Sequence, residues 1–170
     1  NEIGNLCSSL GGVDAADVMR GVHLARYFTV QTEGRQTVTA PITSFLWPGC
    51  GYGGSCLPKD TKALLAHGSV NGAKMPLLKA VIDTNAEQPS RMVAMLDSNF
   101  ETLAGLKVAV LGLAFKEDTD DVRESPAIPI IRKLVERGVQ VSAFDPVAVQ
   151  SARALLPQSV QYPASRIEAL

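Results

Sequence analysis

Residues 51–60 read GYGGSCLPKD. Within one helical turn this string supplies a thiol (Cys56), a cation (Lys59) and a carboxylate (Asp60). Gly51, Gly53 and Gly54 precede them and allow the backbone to approach another body closely. Pro58 pre-sets the backbone of a first helical turn, so Cys56 is expected at or just outside a helix N-terminus. The exposed N–H groups and dipole of such an end favour a thiolate, the form that attacks an electrophilic carbon. Asp60, four residues on, falls on the same side and can hold a water or accept a proton. Taken as a bare G-x-G-G-x-C, an ordinary loop around a small apolar cysteine is the commoner arrangement. The full ten-residue string is much more specific than its parts.

A second string, GLAFKEDTDDVRESP at 112–126, follows an apolar run and so falls where α/β folds bind ligands. After Gly112 come Leu113, Ala114 and Phe115, not the G-x-G-x-x-G spacing of a dinucleotide site. Lys116 and Arg123 are cations at a strand mouth, suited to phosphates. Asp118, Asp120 and Asp121 lack EF-hand spacing and read as a solvated acidic loop. Cys50 and Cys56 are spaced wrongly for structural zinc, and no metal is expected. His23 and His67 each stand alone and read as surface or packed side chains.

The elements around these strings follow from periodicity. Helices are predicted over residues 1–10, ended by Gly11 and Gly12, and after an Asp14 cap. Residues 27–48 read as an extended loop. Further helices are expected over about 60–68 and from Pro76 towards Leu96, with a kink or break at Pro89. The pattern then changes. LKVAVLGLAF reads as a buried parallel strand, and SPAIPIIRKLVERG as a helix with Ser125 at the N-cap, Pro126 at N1 and Gly138 at C′. VQVSAFDP, VAVQSARALL and SVQY continue as strand, helix and strand, which makes a parallel α/β segment. The boundary between the helical and α/β parts is expected near Phe100.

A net charge of −1 gives no electrostatic case for nucleic acid or an anionic membrane. No apolar run reaches bilayer-spanning length. Three cysteines at irregular spacing are not a disulfide framework, which favours a reducing cytoplasm. The chain opens on NEIGNLCSSL as though already inside a helix and ends on ASRIEAL without a terminal cap, so a piece of a longer protein is expected.

Both strings, in this order, resemble the UDP-glucose/GDP-mannose dehydrogenase family: GYGGSCLPKD its cysteine loop, GLAFKEDTDDVRESP the opening of its C-terminal domain. NEIGNLC and MPLLKAVIDTN resemble its central helical region. The resemblance implies a helical dimerisation domain over 1–100, carrying the cysteine loop, followed by an incomplete Rossmann-like parallel α/β domain over 101–170 that binds a nucleotide sugar. It places the NAD-binding domain outside these residues, so the segment alone is not expected to be active. It implies oxidation of a sugar C6 alcohol to a carboxylate, with Cys56 as nucleophile and Asp60 assisting proton transfer or positioning water. Trp47, Gly51, Tyr52, Gly53, Phe115 and Lys116 match substrate contacts, and Lys59 and Arg123 match positions near NAD. By that resemblance Ser55 fits the UDP-glucose and GDP-mannose branches better than the N-acetyl sugar branches, and Tyr52 favours UDP-glucose, with GDP-mannose the alternative; a non-catalytic, dimerising nucleotide-binding module is the rival from another class. YFTVQTEGRQTVTAPITSFLW is longer than the family's usual link, which leaves Arg20, Arg26 and Arg35 as candidates for an arginine that reaches a neighbouring subunit.

Overall fold

The Asp14 carboxylate accepts the Ala16 N–H at 2.7 Å and so starts a helix, as its sequence position predicts. The computed structural model describes every residue except Arg26, Glu33 and Arg35. It forms two compact units, Asn1–Gly49 and Cys50–Leu170.

In the first unit, α1 (Glu2–Leu10) and α2 (Ala15–His23) are followed by β1 (Thr29–Gln31), antiparallel to β2 (Thr37–Thr39), and by a 3-10 helix, Pro41–Phe45. The tract expected as an extended loop therefore holds a short hairpin. Three-residue strands with mostly exposed side chains carry no alternation of apolar and polar residues to betray them. Gly4 has no room for a side chain, because a Cβ there would lie 2.5 Å from the Pro48 Cβ.

The second unit begins with α3 (Leu57–Val70) and α4 (Pro76–Asp97). Of the kink or break expected at Pro89, no break occurs: α4 runs through it, although Pro89 has no N–H to give the Asn85 carbonyl. β3 (Lys107–Leu111) pairs in parallel with β4 (Gln140–Phe144), from Lys107 opposite Gln140 to Leu111 opposite Phe144. Between them runs α5 (Ala127–Glu136), and after them α6 (Val149–Arg153). The predicted third strand survives as one parallel bridge, Ser142 to Gln161.

α5 shows how closely local rules hold here. Pro126 takes the N-cap, one residue beyond the predicted Ser125. Its C-terminus closes as a Schellman turn: Gly138, at φ 79°, donates its N–H to the Val135 carbonyl at 2.9 Å, and Val139 donates to Leu134 at 3.1 Å. The inner face of α5, Ile128, Ile131 and Leu134, packs with Leu113, Val141, Ala143 and Val160 into one core, which Val93 of α4 joins. Arg137 forks onto Asp97 at 3.3 and 2.9 Å and ties the end of α5 to the end of α4. The residue-100 boundary falls inside this unit, between α4 and β3.

Candidate active site

The cysteine loop lies between two supports, both within the second unit. On one side is α4. The Asn85 side-chain amide accepts the Tyr52 N–H at 2.7 Å and donates to the Tyr52 carbonyl at 3.0 Å. Gly51, at φ 117°, passes so close that a Cβ would stand 2.8 Å from Asn85 Oδ1. On the other side is the second motif. The Gly54 N–H donates to the Arg123 carbonyl at 2.8 Å. A Cβ on Gly53 would meet the Glu124 carbonyl oxygen at 2.3 Å, and one on Gly54 would meet the Phe115 ring at 2.7 Å. The glycines thus serve close approach, as their spacing predicts, but what they approach is an asparagine side chain, this chain's own backbone and an aromatic ring.

Cys56 follows as the N-cap of α3, exposed, with its Sγ 3.7 Å from Ser55 Oγ. Pro58 lies in the first turn, and Asp60 donates its backbone N–H to the Cys56 carbonyl at 2.8 Å. The Lys59 ammonium donates to the Asp60 carboxylate. That hydrogen bond is the main reason the Lys59 pKa is raised; Cys56 adds a smaller push in the same direction. Arg123 is likewise held protonated, first by Asp121 and to a lesser degree by Cys56.

The second motif is knitted internally. Arg123 Nε and Nη2 fork onto Asp121 at 2.9 and 2.7 Å, and the Phe115 N–H donates to the Asp121 carbonyl at 3.0 Å. The fork, with the Arg123 backbone N–H, lowers the Asp121 carboxyl to about 2. Asp121 is thus an anchor for Arg123, not merely part of a solvated acidic loop. Asp118 and Glu124 take positive φ of 57° and 52°, a conformation that non-glycine residues seldom adopt. Lys116 Nζ lies 5.5 Å over the Phe115 ring. Lys62 of α3 reaches Glu124 at 3.2 Å, a link between α3 and the second motif.

Asp145, only 8% exposed at the end of β4, organises the strand mouths. Its Oδ2 accepts the N–H groups of Leu113 and Ala114 at 2.8 and 3.2 Å. Its Oδ1 accepts those of Val147 and Ala148, both at 2.8 Å. Burial pushes its carboxyl up, but the four donors together outweigh burial and the net shift is down. Asn85, Glu124 and Asp145 were not singled out by sequence. A carboxylate directly after a strand, in SAFDP, was the signal available for Asp145.

Trp47 belongs to the first unit, where its ring meets His23 edge-on at 4.8 Å and lines a cleft of about 570 Å³ with Arg20 and Thr43. His23 is thus a packed histidine. His67 is an exposed residue in the last turn of α3. Of the three candidate arginines, Arg20 pairs with Asp17, while Arg26 and Arg35 lie outside the described residues. Gly49, Gly51 and Gly54 match G-x-G-x-x-G by count, but they follow a 3-10 helix and not a parallel strand. The spacing without the strand is no dinucleotide seat. No helix among the described residues is long and apolar enough to cross a membrane.

The site is thus a glycine-rich loop that leads into a cysteine at a helix N-terminus and is bonded, through Gly54 and Arg123, to the turn that follows the parallel strand β3. The chain belongs to the UDP-glucose/GDP-mannose dehydrogenase family: residues 1–87 match its central domain and residues 109–170 its UDP binding domain. It is 39% identical over 170 residues to the UDP-glucose 6-dehydrogenase AglM of Haloferax volcanii, covering all of this chain and 36% of that protein. It is 40% identical over 162 residues to the UDP-glucose 6-dehydrogenase TuaD of Bacillus subtilis, covering 95% of this chain and 32% of that protein. The fold is similar to a UDP-glucose dehydrogenase from Pyrobaculum islandicum, with a TM-score of 0.82 and 39% identity over 97% of this chain and 35% of that one. A GDP-mannose dehydrogenase from Pseudomonas aeruginosa is similar at a TM-score of 0.60 and 26% identity, over 99% of this chain and 37% of that one. The chain spans about a third of the length of these relatives.

Proposed function

We propose that this chain is the thiol-bearing part of an NAD-dependent nucleotide-sugar 6-dehydrogenase that oxidises UDP-glucose to UDP-glucuronate. The observation that carries this reading is the hydrogen bond from Gly54 to Arg123, which seats the cysteine loop on the second motif. The greater identity to UDP-glucose dehydrogenases than to the GDP-mannose dehydrogenase, 39% against 26%, supports UDP-glucose over GDP-mannose. Residues 1–100 act as the helical domain that dimerises, and residues 101–170 as the opening of the domain that holds the nucleotide sugar.

NAD fits this site only at its edge. Segment 112–126 separates β3 from α5 and offers no tight glycine turn onto a helix, so pyrophosphate is held elsewhere in the protein. Lys59 and Arg123, exposed cations beside Cys56, suit a phosphate or carboxamide at the rim. NAD supplies the two-electron oxidation at each of the two stages. Cys56 does the rest of the carbon chemistry: Sγ bonds to the aldehyde carbon, and the carbonyl oxygen takes a proton, giving a thiohemiacetal. Its oxidised form is a thioester. Water then attacks, Asp60 accepts the water's proton, the C–S bond breaks and the sulfur leaves with its electron pair. Covalent capture keeps the aldehyde from escaping between the two oxidations. Gly51, Tyr52, Gly53, Phe115 and Lys116 form the sugar-nucleotide contacts.

The test uses the full-length protein that carries this chain, with NAD and a panel of nucleotide sugars. About two NADH per sugar in the wild type, and loss of the second oxidation in Cys56→Ser, is the expected result. No NADH with any sugar overturns the dehydrogenase reading and leaves a dimerising nucleotide-binding module.

A further inference from the structure

We infer that Asn85 is a positioning residue for covalent capture: its side-chain amide accepts from the Tyr52 N–H and donates to the Tyr52 carbonyl, and so sets the path of the loop into Cys56. The inference rests on the dehydrogenase reading above and adds a residue to it. The geometry is specific. An asparagine amide offers one acceptor and one donor in the plane that a backbone N–H and C=O require. Asn85 uses both on a single residue, at 2.7 and 3.0 Å. Gly51 alone allows this approach, since any Cβ there would press on Asn85 Oδ1 at 2.8 Å and φ is 117°.

Downstream, Gly54 is pinned to the Arg123 carbonyl. The loop is therefore fixed at Tyr52 from α4 and at Gly54 from the second motif, and Cys56 begins α3 two residues later. Loops of this length held at both points keep little freedom, whereas release at Tyr52 leaves one fixed point. A thiol that must meet an aldehyde in line gains rate from such confinement. Asn85 touches neither the sulfur nor any reacting atom, so its effect passes through the loop.

The experiment compares the full-length wild type with Asn85→Ala and with the nearly isosteric Asn85→Asp, which keeps an acceptor but loses the donor. The wild-type Tyr52 amide is expected to exchange with solvent about a hundredfold more slowly than in an unstructured chain, and Asn85→Ala to lose that protection. In the variants kcat falls about tenfold or more while KM for the nucleotide sugar moves less than about threefold, and NADH per sugar drops from about two towards one as uncaptured aldehyde escapes. A merely structural loss would lower both oxidations together and leave the ratio at two. If Asn85→Ala does not fold, Asn85→Asp and the wild-type exchange rate carry the test. An unprotected Tyr52 amide in the wild type overturns the inference, as do variants with unchanged kcat and NADH ratio. If the wild type makes no NADH, the dehydrogenase reading falls separately. The rate at which iodoacetamide labels Cys56 then decides: a change of about fivefold or more in Asn85→Ala supports the clamp, and a rate within about twofold refutes it.

Discussion

The Gly54 N–H donates to the Arg123 carbonyl at 2.8 Å, and this bond joins the chain's two chemical motifs. It brings a backbone turn from one string against the turn that carries the cation of the other. Arg123 reaches the neighbourhood of Cys56 from that position, while its guanidinium is held by Asp121.

Gly54→Ala tests the docking directly. Gly54 is buried at φ 89°, and a Cβ would stand 2.7 Å from the Phe115 ring. Strain and overpacking together predict a loss of about 2–4 kcal/mol. Thermal unfolding of Gly54→Ala beside Gly72→Ala makes the comparison. Gly72 also has positive φ but open space around it, so it reports strain alone. Equal losses for the two would show that contact with Phe115 contributes nothing.

Asp145→Ala removes the acceptor for four backbone N–H groups in one step. Leaving several of them unpartnered predicts a loss of roughly 2–4 kcal/mol. Asp145→Asn keeps the shape but not the charge and is expected to cost about half as much. Denaturant unfolding checks the order; an Asn variant worse than Ala contradicts it.

Asp121 makes stability depend on pH at the acid end. Its folded pKa, about 2, lies below the ordinary 3.8, chiefly because of the Arg123 side-chain hydrogen bonds. A group depressed in the folded state contributes fully above its unfolded value, and the contribution fades as pH falls through 3.8 towards about 2. Arg123→Gln is expected to return the Asp121 carboxyl towards the ordinary range. Carboxyl-carbon NMR titration reads this directly, and an unmoved Asp121 in the variant disproves the assignment.

Ile131 is wholly buried in the core beneath β3 and β4. Ile131→Val is expected to cost about 0.5–1.5 kcal/mol and Ile131→Ala about 2–5 kcal/mol. Calorimetry on the pair shows whether this core is as close-packed as its burial indicates. Similar small losses for both would mean that the cavity collapses.

Much of the fold was legible from the sequence because its causes are local. The Asp14 cap, the Pro58 first turn and the Gly138 Schellman turn each depend on residues within a few positions, and each is where it was expected. β3 and β4 were marked by β-branched residues in short apolar runs. The hairpin at β1 and β2 was not, because its side chains face outwards and leave no periodic trace. Of the kink or break expected at Pro89, no break occurs: a proline removes a local hydrogen bond, yet α4 continues, with Gln88, Pro89 and Val93 buried.

By itself the sequence determined the chemistry on offer: a thiol, a lysine and an aspartate at a helix start, and two cations beside a strand mouth. It also determined that glycines must lie close to something. Only the tertiary structure decided what that something is. Asn85, Glu124 and Phe115 come to the loop from distant parts of the chain. Contacts of that kind depend on how elements pack once formed, and no local propensity encodes them.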